Sequence, residues 1–275
     1  MEKRCARTGG YRLYDGQRDT YKRDMNDTIS QSVENELQQL ATAHAAGTAP
    51  RIERVEVGEH VYWIKRPERL NWRFRIQKGD PRAAFERERL AFHEMNAAHA
   101  PVPVLCVEGD DYLVLPDSGM DLRTLLQFES SATVRRDVLL KAGRALGQFH
   151  SLGFSHGRPS PKDMCLSGDE ILLLDFERYK RANNTPKGHA RDLVVFAFNV
   201  TAHSPIMYDD MPDVLDVYRQ EAPDGTWELA QVWCRRVRWA EGLTKPAQWR
   251  KGNRGREFKA IPRLFDLFLG EKASR

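Results

Sequence analysis

Two carboxylates, Asp163 and Asp175, stand twelve positions apart in the stretch SHGRPSPKDMCLSGDEILLLDFER, residues 155–178. The Ser-Gly-Asp triplet at 167–169 reads as a tight turn, and the apolar run 171–174 reads as a buried strand that delivers Asp175 at its end. A hairpin between them folds both carboxylates onto one spot. Paired carboxylates facing one cleft are the hard-oxygen ligand set that a Mg²⁺ or Mn²⁺ ion carrying a nucleotide phosphate requires. Ahead of the hairpin, the turn-rich loop from His156 to Asp163 carries Arg158, Ser160 and Lys162, the last two placed to reach a phosphate.

Other elements must bring cations to that spot. Residues 51–57 and 60–65 read as a hairpin across Gly58-Glu59, and the alternating strand HVYWIK ends in Lys65. Asp80-Pro81 is a strong helix start, an N-cap residue followed by proline at the first helical position. At 100° per residue, Ala84, Phe85, Ala91, Phe92 and Met95 share one face of that helix, with Glu88 in its middle and Glu86 round the side. A carboxylate centred on an apolar stripe needs a buried partner, either Lys65 or an arginine at the rim. Residues 101–107 and 111–115 read as two more strands around Glu108-Gly-Asp, followed by a helix opening at Asp121. Residues 132–152 form a long amphipathic helix that feeds the loop at 155. The segment YKRANNTPKGHA reads as a polar link, after which Arg191-Asp192 opens an apolar helix. Further helices are expected over 213–220, 226–241 and 257–270.

The order strand Lys65, helix Glu88, long helix, loop at 156–163 and Asp175-Phe176-Glu177 resembles the protein-kinase-like superfamily. The His156-Gly157 opening is most similar to the atypical bacterial kinases, the RIO-like and lipopolysaccharide core-sugar kinases. The resemblance covers about residues 50–200. It implies an α+β, two-lobed protein-kinase-like fold with a small β-rich N-lobe at 27–117 and a mainly helical C-lobe at 118–275; the polar, aperiodic residues 1–26 read as a flexible tail, and the apolar period from Ile29 to Ala41 as an extra N-terminal helix of the N-lobe. It also implies ATP with Mg²⁺ or Mn²⁺ as cofactors. Lys65 becomes the phosphate-binding lysine and Glu88 its partner, Leu115 and Asp117 fall in the hinge that takes the adenine edge, and Asp163 and Asp175 become the metal ligands. His156 packs beneath Phe176. Asp192 either hydrogen-bonds the catalytic loop or caps its own helix.

Three departures from the pattern bear on chemistry. Arg158 stands where those kinases place the Asp that takes the acceptor's proton, and a guanidinium accepts neither a proton nor a hydrogen bond. It can instead hold an anionic substrate or stabilise transferred charge. Asp163 or Glu177 is then the nearest carboxylate base. Glu177 replaces the Gly of D-F-G, and no glycine-rich loop precedes Lys65. The resemblance therefore implies an ATP-dependent phosphotransferase acting on a hydroxyl of a lipopolysaccharide core sugar or a protein side chain. The departures keep open a pseudokinase, a nucleotide-responsive or structural binding module, and a kinase-fold nucleotidyl transferase.

Composition sets outer limits. The chain has 275 residues and a formal net charge of +4, so its mean field does not point to nucleic acid as a partner. No run of about 18 apolar residues is present, and MEKRCARTGG lacks the apolar core of a secretory signal. Cys5, Cys106, Cys165 and Cys234 show no metal-ligand spacing and read as reduced thiols of a cytoplasmic protein. Between Arg235 and Lys259 nine Lys/Arg and two Glu are interleaved with Trp239 and Trp249. That run is either a solvated helix face or a surface for anionic lipid, a phosphorylated saccharide or nucleic acid; a lipid surface would place the protein at the inner face of a membrane.

Overall fold

In a computed structural model, the described residues are 30–43, 49–68, 80–248 and 255–270. The expected tail at 1–26, residues 69–79 and Trp249 lie outside them. The architecture is α+β, with small antiparallel sheets among many helices.

Helix α1 (Gln31–Thr42) packs its Leu37 and Ala41 against a four-stranded antiparallel sheet of β1 (Ile52–Val57), β2 (His60–Lys65), β3 (Val107–Gly109) and β4 (Tyr112–Pro116), in the order β1-β2-β4-β3. The two-residue period of a strand splits this sheet into two faces. Tyr62, Ile64, Tyr112 and Val114 close a small core under α1. Leu113 and Leu115 join the main core on the other face, and the register sets Lys65 opposite Leu113 and Trp63 opposite Leu115. Lys65 thus faces the side on which α2 (Pro81–Ala97) lies. Arg66 fastens α1 to the sheet through Ala41 O at 3.0 Å and Glu53 at 2.8 Å.

Helix α2 begins as its sequence dictates: the Asp80 carboxylate accepts from Arg82 N at 2.9 Å and Pro81 fills the first turn. Its buried stripe is Phe85, Glu88, Ala91, Phe92 and Met95. Of the strand expected over 101–107 only Val107 lies in a strand, which runs on through Gly109 into the expected turn. Pro101 and Pro103 have no N–H for a ladder, and the Asn96 side-chain amide holds the segment instead, through Pro103 O at 3.0 Å and Leu105 N at 2.8 Å.

The chain then forms β5 (Met120–Asp121), α3 (Leu122–Phe128, capped by Asp121) and α4 (Ala132–Ser151). Strand β5 pairs with the hairpin β6 (Met164–Ser167) and β7 (Glu170–Leu173) as a second antiparallel sheet. Helix α5 (Pro186–His203) starts five residues before the expected Arg191, because Thr185 caps it, accepting from Gly188 N at 3.1 Å, with Pro186 at the first position. It is followed by α6 (Met211–Glu221), α7 (Thr226–Val237), α8 (Ala240–Gln248) and α9 (Arg256–Leu269). The single helix expected over 226–241 breaks after Val237, where i→i+3 bonds such as Glu241 N to Arg238 O replace the α ladder. Gly143 and Gly147 on α4 let α6 come close: a Cβ on Gly143 would lie 2.7 Å from Val214 O. Among the described residues no helix is long and apolar enough to cross a membrane.

Candidate active site

The loop at 155–163 is held from several sides before it presents any side chain. Its Gly157 N–H donates to both oxygens of Asp192, at 3.1 and 3.0 Å, and Arg191 donates to Gly157 O at 3.3 Å. Asp192 lies in the second turn of α5, so it anchors the loop and does not cap the helix. Asn199 on the same helix donates to Pro159 O at 3.1 Å, and Ser155 Oγ donates to Asn183 O at 2.7 Å. Gly157 has φ 93°, and a Cβ there would press on Arg178 O at 3.1 Å. At the far end Leu174 N donates to Asp163 O at 2.8 Å, which ties the end of β7 to the loop.

An aromatic stack fixes the segment that follows. His156 donates from Nε2 to Leu174 O at 2.8 Å and lies 5.0 Å from the Phe176 ring. Phe176 is wholly buried between Phe149 of α4, at 5.9 Å, and Phe92 of α2, edge-on at 5.5 Å. The residue between them, Asp175, is forced into the left-handed region at φ 67°, ψ 61°. A non-glycine residue held there stores strain of a kind that clusters at functional sites.

These constraints bring Asp163 and Asp175 to one place. Lys162 Nζ lies 2.8 Å from Asp163 Oδ1 and 3.4 Å from Asp175 Oδ2, so one ammonium spans both. Asp163 Oδ2 is buried and has no hydrogen-bond partner. The two carboxyls titrate apart. Burial pushes Asp163 up, against the pull of Lys162 and with the repulsion of Asp175 adding to it. Burial pushes Asp175 up as well, but Lys65, Lys162 and His156 outweigh it and hold that carboxyl low.

Lys65 reaches the same place from β2. Its ammonium lies 2.5 Å from Glu88 Oε2 and 3.3 Å from Glu177 Oε1. Burial opposes both charges of the Lys65–Glu88 pair, pushing Glu88 up more than Lys65 draws it down. For Lys65 the order reverses: burial presses it down, but Glu88, Glu177 and Asp175 together push it up. Three carboxylates around one ammonium favour the charge on Lys65, whereas Glu177 and Asp175 oppose a charge on Glu88. Arg51 also forms an ion pair with Glu177 Oε1. A cleft of about 30 Å³ opens among His156, Arg158, Asp163, Asp175, Glu177 and Arg178. Arg158 and Arg178 are exposed there, and no carboxylate pairs with either among the described residues.

Of the residues singled out in the sequence, Asp163, Asp175 and Arg158 meet in this cleft, and Lys65 with Glu88 meets it through Glu177. Leu115 and Asp117 do not line it. Leu115 is buried in the main core, and the Asp117 carboxylate accepts from Trp63 Nε1 at 2.7 Å and Gly119 N at 3.2 Å. Ser160 is buried, so it presents no hydroxyl to solvent, whereas Lys162 bridges the carboxylates. Arg51 and Arg178 were not singled out, and no motif marks them; Arg51 is 126 positions from the Glu177 it meets. Among the described residues no group of three or more His, Cys, Asp or Glu gathers as a metal centre.

No protein-family model matches the chain. An uncharacterized protein of Haemophilus influenzae is 24% identical to it over 245 residues, spanning 89% of this chain and 99% of that protein.

Proposed function

We propose that this chain is an ATP- and metal-dependent phosphotransferase on a two-lobed protein-kinase-like fold, transferring phosphate to a hydroxyl of an anionic acceptor. The lipopolysaccharide core sugars are the acceptor class its motifs resemble most, with protein side chains second. The observation that carries the reading is the convergence of Asp163 and Asp175 within reach of one ammonium, beside a buried Lys65–Glu88 pair. Phosphoryl transfer asks for positioning and charge neutralisation more than covalent chemistry. The donor set fits a Mg²⁺ or Mn²⁺ ion, since Asp163 has a buried, unpartnered oxygen and Lys162 already shows that a cation suits both carboxylates. With only two carboxylates, the ion's remaining ligands come from phosphate oxygens and water. When bound, the metal neutralises phosphate charge. Lys65 is assigned to a phosphate, Glu88 positions Lys65, and Arg158 with Arg178 is assigned to an anionic group on the acceptor. Trp239 and Leu243, with the basic residues around them, are assigned to an anionic lipid surface that presents that acceptor.

A thermal-shift titration with ATP and Mg²⁺ or Mn²⁺ tests this reading. Free ligand at about 100 times Kd stabilises the fold by about 2.7 kcal/mol. The shift is expected in the wild type and absent in Asp175→Ala. No shift with any nucleotide, in the wild type or with the Glu177 carboxylate removed, overturns it. A second reading, a nucleotide-responsive pseudokinase or a nucleotidyl transferase, is favoured by Arg158 at the base position. Metal-dependent binding without phosphate transfer to any hydroxyl, but with adenylate transfer from ATP, would select the nucleotidyl transferase. Binding with neither activity would select the pseudokinase.

A further inference from the structure

We propose that Arg51 and Lys65 form a two-cation phosphate grip, which Glu177 fills from within the chain until a nucleotide phosphate displaces its carboxylate. This rests on the nucleotide-binding reading above and identifies the residue that does the work of the missing glycine-rich loop. Strands β1 and β2 are joined by the two residues Gly58-Glu59, with Gly58 at φ 62°, a turn too tight to fold over a phosphate chain. Cations must therefore supply the grip.

Two are in position. Arg51 directly precedes β1, and its carbonyl accepts from Arg66 N at 2.8 Å, so its backbone is fixed beside the end of β2 that carries Lys65. Both side chains converge on one atom: Lys65 Nζ lies 3.3 Å from Glu177 Oε1, and Arg51 Nη2 contacts the same oxygen. One anionic oxygen shared by an ammonium and a guanidinium is the arrangement a phosphate oxygen takes. The Glu177 backbone is also held, since Arg87 Nε donates to its carbonyl at 3.1 Å. With this carboxylate in place the cleft measures about 30 Å³, about the volume of one water, whereas ligand pockets measure roughly 300 Å³ or more. A nucleotide phosphate that takes this place replaces Glu177 on Arg51 and Lys65, so the side chain acts as an internal competitor. Its affinity for the two cations sets the fraction of molecules open to nucleotide.

The test is calorimetric titration of the full chain with ATP and Mg²⁺, alongside thermal unfolding without ligand. Glu177→Gln keeps shape and removes charge. It is expected to bind ATP about tenfold more tightly while melting at a lower temperature unliganded. A merely structural ion pair would move stability and binding the same way. Arg51→Ala is expected to bind about tenfold more weakly. Arg54→Ala, which removes an exposed β1 side chain paired with Glu56, is expected to bind as the wild type does. Binding by Glu177→Gln equal to or weaker than wild type, or unchanged binding by Arg51→Ala, overturns the latch and leaves the nucleotide reading standing. ATP binding seen in Glu177→Gln but not in the wild type supports the latch in its strongest form. No binding by any variant removes the nucleotide reading, and the latch with it.

Discussion

At the scale of single residues, the cleft is a set of charges that burial makes expensive unless they are paired. Glu88 is almost wholly enclosed on α2, and Lys65 is its ion-pair partner at 2.5 Å. Removing one member of a buried pair leaves the other charge uncompensated, a loss of about 3–5 kcal/mol. Glu88→Ala is therefore expected to lower unfolding stability by about 3 kcal/mol, the low end because Glu177 still faces Lys65 at 3.3 Å. Urea unfolding of Glu88→Ala measures this, and a loss below about 1 kcal/mol would show that the pair is solvated. The helical period made Glu88 legible as a buried carboxylate in need of a cation, and left Lys65 or a rim arginine as its partner; the resemblance to kinases pointed to Lys65. The Arg51–Glu177 contact obeys no local period. It joins the first residue before one strand to a turn far along the chain, so only tertiary folding brings it about.

At the scale of elements, α5 anchors the loop, and its first turns carry an unusual polar interior. The His189 ring stacks on His150 of α4 at 4.7 Å, and Tyr218 of α6 bonds His150 Nδ1 at 2.7 Å. Burial, and then His150, hold His189 down at about 4 instead of 6.5. The unfolded chain takes up this proton near pH 6.5 and the folded chain only near 4. Stability present above 6.5 is therefore lost as pH falls toward 4. Through this residue the fold loses about 2 kcal/mol between pH 7 and pH 5 by linkage. His189→Phe, which keeps a ring against His150, is expected to flatten the pH 7-to-5 difference in urea stability by about that amount. Asp163 and Glu88, whose carboxyls are raised, act in the opposite sense but equally in both proteins, so they leave the comparison unchanged. An unaltered pH profile would place the His189 titration elsewhere. The start of α5 was readable but missed: Thr185-Pro186 carries the same cap-then-proline signal as Asp80-Pro81, hidden in a run of polar residues. The break after Val237 had no such marker, because apolar and basic residues continue through it with helical spacing.

At the scale of the whole molecule, the main core runs without interruption from Phe85, Phe92 and Leu113 through Phe149 and Phe176 to Phe265. The expected boundary near 117 falls where the chain leaves the four-stranded sheet after Pro116, and the Phe92–Phe176 contact spans it. Element order was legible because caps and periods repeat locally; the continuity of this core was not, because it depends on which faces meet. What the core leaves outside matters as much. Trp239 and Leu243, four residues apart where α8 begins, are 71% and 68% exposed. Arg235, Arg236, Lys245 and Arg256, on α7 to α9, are exposed as well. Large apolar side chains left in water beside several cations suit a surface with an apolar interior and anionic headgroups, where each cation contributes about 1 kcal/mol. Vesicles containing phosphatidylglycerol are therefore expected to sediment the protein, with binding that falls steeply as salt rises. Vesicles of phosphatidylcholine alone are expected to leave it in solution. Trp239→Ala with Leu243→Ser should weaken the anionic-vesicle binding by about a hundredfold or more, since burying each large apolar side chain is worth about 1.5–3 kcal/mol, and should leave ATP affinity unchanged. Equal sedimentation with both lipids, or none with either, would overturn the lipid assignment, and binding to a soluble phosphorylated saccharide with no vesicle binding would reassign this basic face to the acceptor itself.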